Sequence, residues 1–533
     1  MKNFKVTTLA GLAAALFCIT ATEGYTQTPQ PDMSQYILTP KPADTPRING
    51  ARVFGVRPGS EFMFTVAATG KRPMKFEAEG LPKGLKLDPE TGRITGRIKK
   101  EGEYTVRLTA TNALGSNERD LRIVVGDRIA LTPPMGWNSW NCWGPNVSQD
   151  KVVEAARAMV ESGLINHGWT YINIDDAWQG KRGRNGAIQP NMKFPDMKAM
   201  ADDIHALGLK LGIYSTPWIG TYAGHIGCYA ETPEGTYGWI EAGKHDENYF
   251  VSDPEGKINR YTNYHHGEYS FVEADVRQWA EWGVDYLKYD WYPNTCYHAK
   301  EMHDALRKID RDIVLSLSAD SPYADAPIWA RYANCWRTTG DIRDTWASIR
   351  HIWSLQDKWA AFKRPGNWPD ADMLVVGQVG GAWGEPLHYT KLTADEQYTH
   401  ISLWSLLASP MLIGCDMAQM DDFTLSLLTN DEVNDINQDP LGLQARPIWE
   451  NGDLVIYVKH LEDGSMAVGL FNRGEQEADM EVTLQQLGLR GEQTVRDLWR
   501  QKDLTKTSDK FAAKVAPHGV VLVKFYPGNS RER

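Results

Sequence analysis

Between about Pro133 and Asp416 the chain carries eight short apolar or β-branched runs, and most of the intervening stretches have helical periodicity. The runs are PMGWNSW ending at Trp140, YINIDD at Asp176, LKLGIYS at Ser215, VDYLKYD at Asp290, IVLSLS at Ser318, CWRTTGD at Asp341, DMLVVG at Gly377 and SPMLIGCD at Asp416. Ser148 can cap a helix with Val152, Ala155, Ala156 and Met159 on one face, and residues 274–282 and 396–407 read similarly. Strand then helix, repeated, predicts a (β/α)8 TIM barrel over residues 130–434. An open doubly wound sheet shares that alternation. No GxGxxG turn follows any strand, and nearly every run ends on a polar or aromatic residue, which favours the barrel. The C-terminal ends of barrel strands form the reactive rim, so Asp290 and Asp341, each closing an apolar run, are the candidate catalytic pair.

At 533 residues the chain is too long for one core, and roughly 300 residues for a barrel leave sequence on both sides. Lys2 and Lys5 precede an apolar stretch from Leu9 to Ala21 that is too short to span a bilayer; residues 1–26 read as a cleaved secretory signal, which predicts a secreted or periplasmic protein without a membrane span. Lipidation at Cys18 is the weaker reading, because Phe17 stands where a small residue is expected. Five cysteines remain after cleavage, so the mature chain is no disulfide scaffold; Cys228 with Cys296 is the first candidate for a bridge, against five independent thiols. No CxxC or HExxH occurs, and His265, His266, His298 and His303 sit at spacings that specify no coordination geometry, so neither metal nor cofactor is expected. A net charge of -11 argues against nucleic acid as a partner and for a neutral or weakly charged substrate. Twenty tryptophans suit apolar sugar faces as well as a core, and Trp140, Trp178 and Trp218, near strand ends, come first as binding residues.

Residues 44–126 show all-β alternation at Phe62, Phe64 and Val66, at Tyr104, Val106, Leu108 and Ala110, and at Leu121, Ile123 and Val125. This predicts a small β-sandwich, and LPKGLKLDPETGRITG resembles the immunoglobulin-like modules of secreted bacterial enzymes. Its strands offer no aromatic cluster, so a spacer or packing role is expected over sugar binding. Residues 437–527 carry LVIYV, MAVGLFN and VVLVKFY, which predict an antiparallel β-sandwich packed on the barrel.

The segments PPMGWNSWNCWG, YINIDDAW, LKLGIYS, VDYLKYD, WRTTGDIRDTW, DADMLVVG and LTNDEVNDINQDPLG, in this order, resemble glycoside hydrolase family 27, the α-galactosidases and α-N-acetylgalactosaminidases, over roughly residues 130–525. The resemblance implies a retaining exo-glycosidase acting on terminal α-D-galactosyl residues of oligosaccharides or glycans, with Asp290 as nucleophile and Asp341 as acid and base. It implies that Lys288 keeps Asp290 ionised, that Asp341 has a raised pKa, and that Asp175 and Asp176 grip the 4- and 6-hydroxyls. Trp140 would lie under the ring, Tyr214 beside the nucleophile and Arg337 near the 2-position. Each of these side chains also has a structural reading as a helix cap or ion pair. Asp344 and Asp372 are expected to be structural, and Asp416 stays open.

Galactose-specific members of the family place Glu and a nearby Tyr after the fifth strand, and N-acetylgalactosamine enzymes Ser and Ala; SLSADSP satisfies neither pattern. Ser318 leaves room for an N-acetyl group, whereas Asp320 turned inward could accept from a 2-hydroxyl. Galactose is preferred, with N-acetylgalactosamine and β-L-arabinopyranose as alternatives. A non-catalytic carbohydrate-binding protein is the remote alternative, because both aspartates are present. The segment from Thr221 to His266 is expected to shape the aglycone sites.

Overall fold

A computed structural model describes residues 31–235 and 264–527; the expected signal and the middle of the Thr221–His266 segment lie outside the described residues. Eight strands form one curled parallel sheet: β1 (Met135–Asn138), β2 (Tyr171–Asn173), β3 (Lys210–Ser215), β4 (Tyr286–Asp290), β5 (Val314–Ser318), β6 (Cys335–Arg337), β7 (Trp368–Asp370) and β8 (Met411–Ile413). Their order is β7-β6-β5-β4-β3-β2-β1-β8, and a parallel bridge from Leu374 to Ile413 brings the chain past β7 onto β8. The backbone N–H of Leu374 donates to Leu412 at 2.8 Å, and that of Gly414 to Leu374 at 3.0 Å. Such a curled sheet is consistent with a TIM barrel. Its interior is crowded enough to demand glycine at one position: a Cβ on Gly212 would stand 2.0 Å from Asn173 Oδ1.

The expected helices form. Helix α1 (Gln149–Glu161) follows Ser148 and buries Val152, Ala155, Ala156 and Met159, the face its periodicity marks. Helix α2 (Val272–Trp282) covers the second predicted stretch. Helix α3 (Ala394–Leu406) opens with a reciprocal Thr393–Glu396 capping box and is buried all round, between the sheet and the C-terminal region.

The strand boundaries differ from those the sequence suggests. The seventh strand is Trp368–Asp370, not DMLVVG, of which only Leu374 bridges to β8. Asp372 is the cause: its φ of 80° breaks the extended run, and its backbone oxygen accepts from Trp404 Nε1 at 2.7 Å instead of a ladder partner. Strands β1, β2, β6 and β8 also stop early, so Trp140, Asp175, Asp176, Asp341 and Asp416 lie beyond the strand ends, and Asp290 alone of the pair terminates a strand.

The N-terminal region pairs a four-stranded sheet with a three-stranded one round a separate core that includes Phe62, Ile94, Val106 and Ile123. It docks against loops that lead into the barrel strands, on the face opposite the rim. Arg57 donates from its backbone and Nε to Asp312 at 2.9 and 2.5 Å and from Nη2 to the carbonyls of Ile309 and Arg311, while Thr65 Oγ1 reaches the carbonyl of Gly208 at 2.7 Å. Packing, rather than spacing, is what these bonds accomplish. The C-terminal region has a six-stranded and a two-stranded antiparallel sheet, and is tied to the barrel helices by Trp353 Nε1 to Tyr457 Oη at 3.0 Å and Trp499 Nε1 to Ser402 Oγ at 2.8 Å.

The bridge between Cys228 and Cys296 does not form. All five cysteines of the described residues are free thiols, and the Cys228 sulfur lies inside the protein, 3.1 Å from Ser215 Oγ.

Because Arg57 and Asp312 are both largely buried, Arg57→Ala strands the Asp312 carboxylate and the carbonyls of Ile309 and Arg311 at the junction. The expected cost is about 3 kcal/mol. It should appear as release of the N-terminal region to limited proteolysis at temperatures the parent withstands; an unchanged cleavage pattern would show that the docking does not depend on Arg57.

Candidate active site

Strand β4 delivers the first two groups. Its register sets Lys288 opposite Tyr214 on β3 and Asp290 opposite Ser318 on β5, and period-two alternation puts Lys288 and Asp290 on one face. Lys288 Nζ donates to Asp175 Oδ2 at 2.8 Å, stands 4.0 Å from Asp290 Oδ2 and lies 5.4 Å from the centre of the Tyr214 ring. Asp175 also accepts from Asn138 Nδ2 at 2.9 Å, and Asn138 Oδ1 accepts the backbone N–H of Trp140 at 2.8 Å. One run of contacts therefore joins Trp140, Asp175, Lys288 and Asp290.

Asp290 is buried, and its Oδ1 has no hydrogen-bond partner among the described residues. Burial pushes its carboxyl up to about 6; Lys288 opposes the rise, and Asp341 and Asp175 add to it. For Lys288 burial alone would favour the neutral amine, but Asp175 and Asp290 hold its proton above the usual lysine range. Asp176 is buried too, with Oδ1 accepting the N–H of Ala177 and Oδ2 that of Ala223, both at 2.7 Å. Burial still lifts its carboxyl to about 7. Both oxygens hold loop backbone, so Asp176 clamps the loop after β3 to the loop after β2.

Asp341 lies four residues past the end of β6, with 68% of its side chain open. Its Oδ1 accepts from Arg337 Nη2 at 3.1 Å, and Arg337 and Lys288 together outweigh partial burial and hold its carboxyl below the usual range. Arg337 is itself buried against Asp372 Oδ2 at 2.8 Å. That same oxygen accepts the backbone N–H of Ile342, next to Asp341, at 2.7 Å. The two carboxyls are thus displaced in the order opposite to the one expected, Asp290 upward and Asp341 downward. Lys288 is drawn towards Asp175 and away from Asp290, while Asp341 shares the buried Arg337 with Asp372.

Other expected residues divide. Tyr214 is buried, its hydroxyl without a partner among the described residues. The carbonyl of Ser318 accepts from the Trp291 N–H at 3.1 Å and from Asn294 Nδ2 at 2.8 Å. Asp320 does not turn inward: it is exposed at φ 33°, its N–H donates to the carbonyl of Thr339, and its carboxylate makes no hydrogen bond among the described residues. Trp178 is a core strut, donating from Nε1 to the carbonyl of Tyr214 at 2.8 Å, and Trp218 is nearly enclosed. Asp344 accepts from His388 and from the backbone of Lys391, and Asp416 caps the turn at Ala418. Asn138 is the position the sequence reading passed over, although it lies in the same run as Trp140; Asp372, expected to be structural, holds Arg337, a partner that nothing local marks. Among the described residues no cluster of His, Cys, Asp or Glu is arranged to hold a metal ion.

The family pattern described as alpha galactosidase A matches residues 132–250 and 254–439. The chain belongs to that family. The alpha galactosidase C-terminal beta sandwich pattern follows at 451–525, and an Ig domain pattern matches 45–126. Alpha-galactosidase 2 of Arabidopsis thaliana is 36% identical over 78% of this chain and 94% of its own length. Alpha-galactosidase A of Cellvibrio japonicus is 34% identical over 75% and 93%. A crystal structure from Bacteroides fragilis, 35% identical with a TM-score of 0.77, covers 92% of this chain and 99% of that one. A β-L-arabinopyranosidase from Geobacillus stearothermophilus matches at 30% identity and a TM-score of 0.65, over 75% and 98%. This alpha galactosidase A family member is accordingly a glycoside hydrolase, and the Asp290–Lys288–Asp175 contacts lie at the rim of its catalytic domain.

If Lys288 restrains the proton affinity of Asp290, then Lys288→Met raises the Asp290 carboxyl above about 6. The sign follows from losing a cation that favours the carboxylate. Infrared difference spectra of the protonated carboxyl band across a pH titration should show the upward move, and an unmoved midpoint would remove Lys288 from that role.

Proposed function

We propose that the protein is an exported, secreted or periplasmic, α-galactosidase that removes terminal α-D-galactosyl residues from oligosaccharides or glycans with retention of configuration. The observation that carries this reading is the pairing of two cations with the two aspartates: Lys288 between Asp175 and Asp290, and Arg337 on Asp341. Each aspartate has a cationic partner, and their environments separate the proton affinities of the two carboxyls.

Asp290 attacks the anomeric carbon as the glycosidic bond breaks, and the leaving oxygen takes the proton of Asp341. Water then adds to the anomeric carbon, returns a proton to Asp341 and frees Asp290. Such a pair needs Asp290 ionised and Asp341 protonated. With Asp290 at about 6 and Asp341 below its usual range, the two share one proton between those limits. A sugar whose 2-hydroxyl draws Arg337 off Asp341 raises the affinity of Asp341 for that proton. The proton then sits where the leaving oxygen needs it. Asp175, whose Oδ2 accepts from both Lys288 and Asn138, is the acceptor for a ring hydroxyl, and Trp140 is the stacking face.

A second reading, α-N-acetylgalactosaminidase, draws on the small Ser318 and the outward Asp320, which leave the 2-position uncrowded from that loop. β-L-Arabinopyranoside is the third candidate, from the similarity to the Geobacillus enzyme.

Initial rates on the nitrophenyl α-galactoside, α-N-acetylgalactosaminide and β-L-arabinopyranoside decide among the three: α-galactoside is expected to be fastest, another order reassigns the sugar, and no hydrolysis of any overturns the enzyme reading. Asp290→Ala should lower kcat by at least about a thousandfold without changing the fold. For the parent, kcat/KM should fall with rising pH through a midpoint near 6, where the shared proton leaves the pair; a profile flat across that pH would refute the sharing.

A further inference from the structure

The loop after β3 carries an aromatic group that the mechanism above does not use. Trp218 stacks on Tyr264 with ring centres 4.9 Å apart and planes 15° off parallel, and Tyr222 meets both edge-on, at 5.3 and 5.0 Å. Tyr264 Oη donates to the backbone carbonyl of Tyr222 at 3.3 Å. The next residue, Ala223, gives its N–H to Asp176 at 2.7 Å, and the N–H of Thr221 donates to the carbonyl of His225 at 2.7 Å. Tyr222 is therefore held on both sides along the backbone and braced by two rings. Of Trp218 and Tyr222, the tryptophan is nearly enclosed and the tyrosine half-open.

Its surroundings are those of the reacting groups. Burial is the main reason its phenol holds its proton more tightly than usual, and the charges of Asp290 and Asp341 add to the effect. Its place on the rim is given by its neighbour Ala223, which is bound to Asp176, next to the Asp175 that holds Lys288 beside Asp290. Its hydroxyl has no hydrogen-bond partner among the described residues, and Trp218 and Tyr264 keep the ring from turning away.

We propose that Tyr222 is a specificity residue for the leaving group: its half-open ring, braced by Trp218 and Tyr264, is the stacking face for the sugar attached to the departing oxygen. This rests on the glycosidase reading of the Asp290–Asp341 pair. The loops at the C-terminal face of a barrel set specificity without altering its chemistry, and a rigid ring buries the apolar face of a pyranose at low entropic cost. The ligand class that follows is an oligosaccharide or polysaccharide bearing a terminal α-linked sugar on a second pyranose, in preference to a simple alkyl glycoside.

The test compares two substrates of one sugar. α-Galactosyl fluoride has a leaving group too small to reach the ring, and an α-galactosyl disaccharide has a full pyranose there. If the wild type hydrolyses neither, the glycosidase reading fails, and the question of Tyr222 falls with it. With wild-type activity in hand, Tyr222→Ala is expected to lower kcat/KM on the disaccharide about tenfold or more and to change it less than about threefold on the fluoride. Tyr222→Phe keeps the stacking face and should retain most of the disaccharide rate. Equal losses on both substrates, no loss on either, or a Phe variant as poor as Ala would each overturn the proposal. A matching thermal unfolding midpoint for the Phe variant keeps the comparison independent of folding.

Discussion

A single buried ammonium, that of Lys288, organises the catalytic rim. Its proton is shared unequally: 2.8 Å to Asp175, 4.0 Å to Asp290. A symmetric bridge would neutralise both carboxylates and leave neither reactive. Lys288 faces Oδ2 of Asp290, and Oδ1 is buried with no hydrogen-bond partner among the described residues, where an unmade hydrogen bond raises both its energy and its proton affinity. The nucleophilic role proposed for Asp290 calls for an oxygen in that condition. Asn138, a second donor to Asp175 Oδ2, helps hold the lysine in its off-centre place by orienting the carboxylate that draws it.

That arrangement needs a frame that does not relax, and the molecule supplies it from below. Arg57 grips Asp312 and two carbonyls of the turn that enters β5, while Arg311 bonds Asp285 at 2.6 Å just ahead of β4. The strands that end in Asp290 and Ser318 are thus pinned at their N-terminal ends by the N-terminal region and by a buried ion pair. The C-terminal region performs the corresponding service for helix α3 and for the helix Trp346–Ser354 through Trp499 and Tyr457. Among the described residues, neither flanking region contributes a side chain to the rim contacts. On these contacts both regions brace the barrel.

Much of this was legible in the residues. Eight apolar runs and the helical faces between them implied the curled parallel sheet, because burial on both sides of a parallel strand and on one side of a helix leaves distinct periodicities. The Lys288–Asp290 pair was legible for the same reason, two residues apart on one strand face. What was not legible depends on where strands stop. Runs such as CWRTTGD and DMLVVG are apolar enough to extend, but the first ends at Arg337 and the second never forms, because Asp372 adopts a left-handed backbone and gives its polar groups to Arg337, Ile342 and Trp404. Those partners are 30 to 35 residues distant in the chain, and no local pattern announces them. Similarly Trp178 and Trp218 have the composition of binding residues and the burial of structural ones.

The Asp372 contacts also bear on why the two aspartates, the proposed acid and the proposed nucleophile, are held so differently. Asp290 closes a strand flanked on both sides by register-matched neighbours, so its position is fixed by the sheet. Asp341 stands in a loop, tied to the frame by the N–H of Ile342 on Asp372 and by Arg337, which Asp372 also holds. A nucleophile must meet the anomeric carbon along one line, and displacement of even about 1 Å is costly to such an attack. The acid has two partners to serve in sequence, a leaving oxygen and then a water, which occupy similar but not identical places. A carboxylate on a loop, anchored at one residue and charged by one arginine, can reach both while the strand-bound aspartate stays still.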